Sequence, residues 1–158
     1  LLGGIYSPKV YTEQPQIVGV YFSPNGGCEN AVLTWISKAN SSIHVLIYSF
    51  TLDSIGNALV EAHQRGIEVK AVFEKSQISQ YSEYNRLRNA GISVRNDTNP
   101  DLMHDKVMIV DSNIVLTGSF NWSANAQENN NENLIVISSR PVANAFEINF
   151  QKIWNQGL

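Results

Sequence analysis

Between positions 103 and 121 the chain reads M-H-D-K-V-M-I-V-D-S-N-I-V-L-T-G-S-F-N. The residue types in this stretch suit the handling of a phosphoryl group. His104 offers a nucleophilic imidazole, Lys106 a full positive charge, and Ser119 and Asn121 neutral donors for the remaining oxygens. Gly118 has no side chain, which lets a substrate or a backbone donor approach closely. Strand alternation puts His104 and Lys106 on one face, two residues apart. The extended runs Lys106–Asp111 and Ile114–Thr117 are separated only by Ser112 and Asn113. A hairpin is therefore predicted, and it returns residues 118–121 to the neighbourhood of that face.

Such a hairpin needs a layered domain to hold it, and the flanking chain carries the pattern of one. Residues 1–16 mix Gly, Pro, Thr and Gln without a period and are expected to form an N-terminal arm, leaving 17–158 as a single catalytic domain. Strand patterns at Ile17–Ser23, Ile43–Phe50, Ile67–Phe73 and Ile92–Arg95 alternate with helical ones. The helices are expected over Glu29–Ala39, from a cap at Asp53 or Ser54 to Arg65, and over Tyr81–Ala90, with Gly66 and Gly91 as stops. Glu132–Ser138 reads as a further strand, and Ala145, Phe146, Ile148, Phe150 and Ile153 give Val142–Trp154 a helical spacing. This alternation predicts an α/β fold with a mixed, mainly parallel β-sheet flanked by helices on both faces.

His104, Lys106, Asp111, Gly118, Ser119 and Asn121 match the H-x-K-x4-D-x6-G-S-x-N pattern of the phospholipase D superfamily at every position and spacing. Chance would produce that match on the order of once in 10⁷ windows. Phe22-Ser23-Pro24, Tyr48-Ser49-Phe50-Thr51, Glu132-Asn133 and Trp154-Asn155-Gln156-Gly157 extend the likeness over nearly the whole chain from residue 19. In these segments it resembles the small, single-motif bacterial endonucleases of that superfamily, the Nuc group.

The resemblance implies a two-step phosphodiester hydrolysis with no metal and no cofactor. His104 of one subunit would attack phosphorus to give a phosphohistidine, and His104 of a second subunit would protonate the leaving oxygen and then activate water. A homodimer with the active site at the subunit interface follows from that. Lys106 and Asn121 would hold the non-bridging oxygens with help from Ser119. Glu132 would accept a hydrogen bond from the histidine and fix its tautomer. Asn131 stands where the family has Ser, and Asp111 is read as structural. The implied substrate is nucleic acid, DNA or RNA, cut without base reading. The alternative is a phospholipid headgroup, because the same groups serve either phosphodiester.

Composition narrows the rest. Hydrophobic residues at 43% and charged ones at 16% exclude a disordered chain, and 158 residues suffice for a sizeable core. A formal charge of −3 argues against wrapping a polyanion over a broad surface but allows a local positive cleft. Cys28 is the only cysteine, which excludes an intrachain disulfide and leaves it as an inert helix residue. No apolar run approaches the ~20 residues of a bilayer span, so stable membrane insertion is not expected. Leu1 in place of Met fits either a trimmed end or a cleaved signal, and the expectation is export to the periplasm or medium. Outside the motif, His44 and His63 are expected to be structural, and Phe120 and Trp122 to pack beneath the hairpin. Lys75 follows a strand where α/β folds place ligand-facing loops, which makes it a candidate contact to the substrate backbone.

Overall fold

The computed structural model describes residue 10 and residues 12–158, so most of the expected arm over 1–16 lies outside the described residues. In chain order the elements are β1 (Gln16–Ser23), α1 (Cys28–Lys38), β2 (Ser42–Ile47), α2 (Asp53–Gln64) and β3 (Glu68–Phe73). A 3₁₀ turn at Lys75–Gln77 leads to α3 (Tyr84–Asn89) and β4 (Ser93–Asn96). Then come β5 (Lys106–Val110), β6 (Ile114–Gly118), α4 (Ala124–Glu128), β7 (Glu132–Ser138) and α5 (Arg140–Gln156).

The strands form one seven-stranded sheet in the order β1-β7-β6-β5-β2-β3-β4. It is mixed, as expected, with helices on both faces, but parallel pairing is the smaller part. Only β2 with β3 and β3 with β4 run parallel; β1 with β7, β7 with β6, β6 with β5 and β5 with β2 are antiparallel. The βα rhythm that suggested a mainly parallel sheet holds from β2 to β4, where α2 and α3 carry the chain back over the sheet. It fails for β1, which lies at the far edge beside β7 instead of next to β2. Hydrophobic periodicity marks a segment as a strand but does not name its neighbour. The tight β5–β6 connection could only be antiparallel.

Two apolar layers sandwich this sheet. On one face Ile43, Val45, Ile47, Met108, Val110, Leu116 and Leu134 pack with Val32, Ile36, Ile55, Leu59 and Leu87 of α1–α3. On the other, Leu46, Val107, Ile109 and Val115 pack with Ala143 and Phe150 of α5. Full burial of a side chain such as Phe150 contributes about 2–3 kcal/mol. α5 begins where Ser139 Oγ accepts from Val142 N (3.2 Å) and Pro141 sits in the first turn, which needs no donor there. The cap expected at Asp53 or Ser54 is absent. Leu52 occupies the cap position, Asp53 is already helical, and Ser54 Oγ instead donates to Glu29, tying α2 to α1. Gly66 and Gly91 stop α2 and α3 with φ near 89°, the left-handed conformation that glycine adopts at least cost.

Candidate active site

β5 begins at Lys106, so His104 lies in the extended lead-in and not within a strand. That lead-in is held from several sides. Met103 N donates to the buried carboxylate of Glu74 (2.7 Å), and Tyr48 N donates to Asp105 O (3.0 Å), continuing the β2–β5 ladder past Ile47 and Lys106. Residues 97–102 are pinned further. Asp97 accepts from Lys75 N and Asn99 N (both 2.9 Å), Asn99 Nδ2 donates to Leu102 O (3.2 Å), and Thr98 Oγ1 donates to Gln156 O (2.8 Å). His104 therefore sits on a fixed platform.

Lys106 is 9% exposed and turns its ammonium onto the histidine: Nζ lies 3.0 Å from Nδ1 and donates to the backbone oxygen at 2.6 Å. Among the described residues no hydrogen bond reaches Nε2, which leaves that nitrogen for a ligand. Burial lowers the Lys106 pKa from its ordinary value, against the opposing pull of Asp105 and Glu132.

The hairpin delivers the other groups. Gly118 has φ of 155°, and a Cβ there would collide with the carbonyl oxygen of Asn133. Its bare backbone thus serves the close approach of β6 to β7. Ser119 Oγ donates to Glu132 and accepts from Asn133 N (3.1 Å). Asn121 Oδ1 accepts from Ser49 N (3.1 Å), which turns its NH₂ into the donor available to the site. Neither Ser119 nor Asn121 caps the following helix; Ser123 does, accepting from Ala126 N (3.2 Å). Trp122 N donates to Ser49 O (3.0 Å), and Phe50 meets the Trp122 ring edge-on at 4.7 Å, so Trp122 and the buried Phe120 are packing residues.

His104, Lys106, Ser119, Asn121 and Glu132, all five site residues expected from sequence, line one open cavity of about 590 Å³ together with Gly118 and Asn133. One expected contact differs. Glu132 accepts from Ser119 and from Asn130 Nδ2 (3.2 Å), and no hydrogen bond joins it to His104 within the described residues. A second cleft of about 920 Å³ opens from His104 between the 97–105 segment and the end of α5, where Thr98, Asn99, Lys152 and Gln156 face Leu102 and Ile153. Lys75 is not a free ligand group. Its ammonium is held by the backbone oxygens of Asn99 and Asp101 (the latter at 3.1 Å) and lies 3.7 Å from Asp97, bracing the platform.

Asp111 is structural, as read: its carboxylate accepts from Asn40 N, Ser41 N, Ser41 Oγ and Ser42 N at 2.7–3.1 Å, clamping the hairpin turn to the start of β2. His44 and His63 stand apart from the cavity. Sequence reasoning missed Tyr48, whose ring packs on His104, and Asn133, which follows Glu132 into the cavity wall. The signal for Tyr48 was its place near the end of the predicted strand Ile43–Phe50.

Residues 32–154 match the family described as cardiolipin synthase, PLD-like domain. The chain belongs to the phospholipase D superfamily. Among solved structures it is similar to Nuc from Salmonella typhimurium, a phospholipase D family member: TM-score 0.87 and 40% identity, covering 92% of this chain and 97% of that one. Among curated relatives it is similar to phospholipase D from Rickettsia prowazekii, 36% identical over 82% of this chain and 63% of that protein. It is also similar to the mitochondrial cardiolipin hydrolase of Xenopus tropicalis, 30% identical over 79% of this chain and 60% of that protein. The chain thus spans less than two thirds of the length of these curated relatives.

Proposed function

We propose that this protein hydrolyses phosphodiesters through a covalent phosphohistidine on His104, with nucleic acid as the substrate. The observation that carries the reading is the cavity, where one imidazole with a nitrogen left for a ligand stands beside a buried ammonium and the carboxamide donor of Asn121. In the first step His104, in the tautomer that carries its proton on Nδ1, attacks phosphorus through Nε2; the P–N bond forms and the P–O bond to the leaving group breaks. A second imidazole protonates that oxygen. Water, deprotonated by the same imidazole, then displaces the histidine to give a phosphomonoester. Lys106 and Asn121 balance the charge on the non-bridging oxygens.

Nucleic acid is favoured by the sequence likeness to the single-motif bacterial endonucleases. The cleft beside His104 also suits it, since polar Thr98, Asn99 and Gln156 facing Leu102 and Ile153 fit a sugar and its base. A phospholipid is the second reading, supported by the relatives named phospholipase D and cardiolipin hydrolase. Plasmid, single-stranded oligonucleotide and cardiolipin vesicles, each incubated with and without chelator, separate the two. We expect chelator-resistant cleavage of the nucleic acids; faster turnover of cardiolipin would transfer the assignment to lipid.

The second imidazole would come from a twofold-related copy. Val20 and Phe22 of the edge strand β1 are exposed (52% and 61%) beside Ile135 and the cavity residue Asn133, an apolar margin suited to self-pairing. Wild-type chains co-refolded with equal His104→Ala chains should retain roughly a quarter of full activity if sites are shared, and roughly half if each chain works alone.

A further inference from the structure

We propose that Tyr48 is a positioning residue of this site, its ring setting the plane of the His104 imidazole and holding the Lys106 ammonium beside it. The inference rests on the reading of His104 and Lys106 given above. Tyr48 follows Ile47, the last residue of β2 and the ladder partner of Lys106. Its backbone N–H donates to Asp105 O, so its main chain is fixed to the segment that carries both catalytic groups. Its ring centroid lies 4.5 Å from that of His104 at an interplanar angle of 59°, and the Lys106 ammonium lies 5.0 Å from the same centroid. On the far side its hydroxyl accepts from Gln77 Nε2 (3.2 Å), in the 3₁₀ turn after β3. One aromatic ring thus touches nucleophile and cation while a tether holds it from behind.

An aliphatic side chain would fill the same volume but do only part of this. The face of an aromatic ring is electron-rich and attracts an ammonium, the more so where water is excluded. Lys106 is such an ammonium, because burial already lowers its pKa and the charged side chains that oppose this are Asp105 and Glu132. The Tyr48 face adds a third attraction, without a negative charge that would repel a phosphate. The tilted stack also restricts rotation of the imidazole about its side-chain bonds, so Nε2 keeps one direction of attack.

Two readouts test this, and one needs no substrate. Lys106 can be titrated by NMR in selectively labelled protein, comparing wild type with Tyr48→Phe and Tyr48→Leu. Removing the ring's attraction for the charged form lowers a lysine pKa. The Leu variant should therefore titrate at lower pH than the wild type, with Phe close to the wild type. In turnover, Tyr48→Phe should stay within about threefold, whereas Tyr48→Leu should lose roughly 10- to 30-fold in kcat with little change in KM, its alkaline pH limit moving down with Lys106. If the Leu variant fails to fold, mono-, di- and trifluorinated phenylalanine at position 48 keep the shape and drain the ring face. Lys106 should then titrate progressively lower. Unchanged titration across the series, or a Leu variant with the wild-type kcat and pH profile, would overturn the proposal. Absence of any phosphodiesterase activity in the wild type would instead remove the functional reading and leave the titration result standing.

Discussion

One ladder joins two histidines with opposite surroundings. In the pairing of β2 with β5, His44 sits opposite Ile109 near one end, and His104 leads into the other end, just before the Ile47–Lys106 pair. His44 is bonded at both ring nitrogens, to Glu147 Oε2 (2.7 Å) and Glu68 Oε1 (2.9 Å), and its ring stacks on Phe150 at 4.6 Å and 5°. His104 has a cation at one nitrogen, no protein partner at the other among the described residues, and an aromatic ring tilted against it. A histidine saturated by carboxylates serves to fasten elements, here α5 to β2 and β3. A histidine beside a cation, with one nitrogen to spare, is placed to act on an anion.

The sharpest way to break this contrast is to make the same change at both. His104→Asn should lower turnover by more than about 10⁴-fold without unfolding the protein, because the change removes the nucleophile of the proposed mechanism. His44→Asn should leave kcat within about twofold and lower the melting temperature instead. Comparable activity losses at the two positions would mean that the environments do not divide the roles. A phosphoryl label trapped on Ser119 in place of His104 would overturn His104 as the nucleophile.

Asp111 sharpens the contrast from the motif side, as a motif residue that acts like His44. Its carboxylate takes four donors from residues 40–42, which lead into β2, and Asp111 itself adopts φ of 54°, which Asp and Asn tolerate better than most. Burial opposes its ionisation, yet the backbone donors of Ser41, Ser42 and Asn40 hold its pKa below the ordinary 3.8. A carboxyl with a depressed folded-state pKa stabilises above its unfolded value, and that contribution is lost as pH falls through the folded one. Asp111→Ala should cost about 2–3 kcal/mol in denaturant unfolding at neutral pH, with Asp111→Asn in between. The kcat of the folded fraction should hold; a loss of kcat without a loss of stability would move Asp111 into the catalytic group.

What was legible in the sequence was local. His104, Lys106, Gly118, Ser119 and Asn121 lie on a hairpin whose turn is visible in the chain, so spacing alone brings them together. The sheet order was not legible, because nothing in β1 says that its partner is β7, more than a hundred residues away. Glu132 was found through resemblance, but its partner was misjudged: in the fold Ser119 and Asn130 take its oxygens before His104 can. Tyr48 reaches His104 only because β2 and β5 are neighbours, and that neighbour relation is set by packing between two helical layers. Lys75 looked like a ligand because of where it follows a strand. It became a brace because the 97–101 loop folds back over it.

The smallest expected effect belongs to His44, and its sign can be worked out. Burial alone would lower the His44 pKa, but its hydrogen bonds to the Glu147 and Glu68 carboxylates outweigh that and raise it above the ordinary 6.5. A histidine raised in the folded state contributes stability that is fully present below the unfolded pKa and is lost as pH rises through the folded value. Glu68 behaves oppositely: His44 lowers its pKa below the ordinary 4.5, so its share appears above that value and disappears in acid. Together these make the corner strongest between about pH 4.5 and 6.5. Glu68 is 53% exposed, so its bond is screened by solvent, and Glu147, 18% exposed, carries most of the effect. The stability difference between wild type and His44→Gln should therefore peak near pH 6 at about 1–2 kcal/mol and shrink as pH rises above about 6.5 and through the folded-state value. Melting temperatures at pH 5, 6, 7, 8 and 9 measure it, read beside a Glu147→Gln variant that should flatten the same profile. A difference that grows with pH would show that His44 is held as a neutral ring, and the division between a fastening histidine and a reacting one would then rest on position alone.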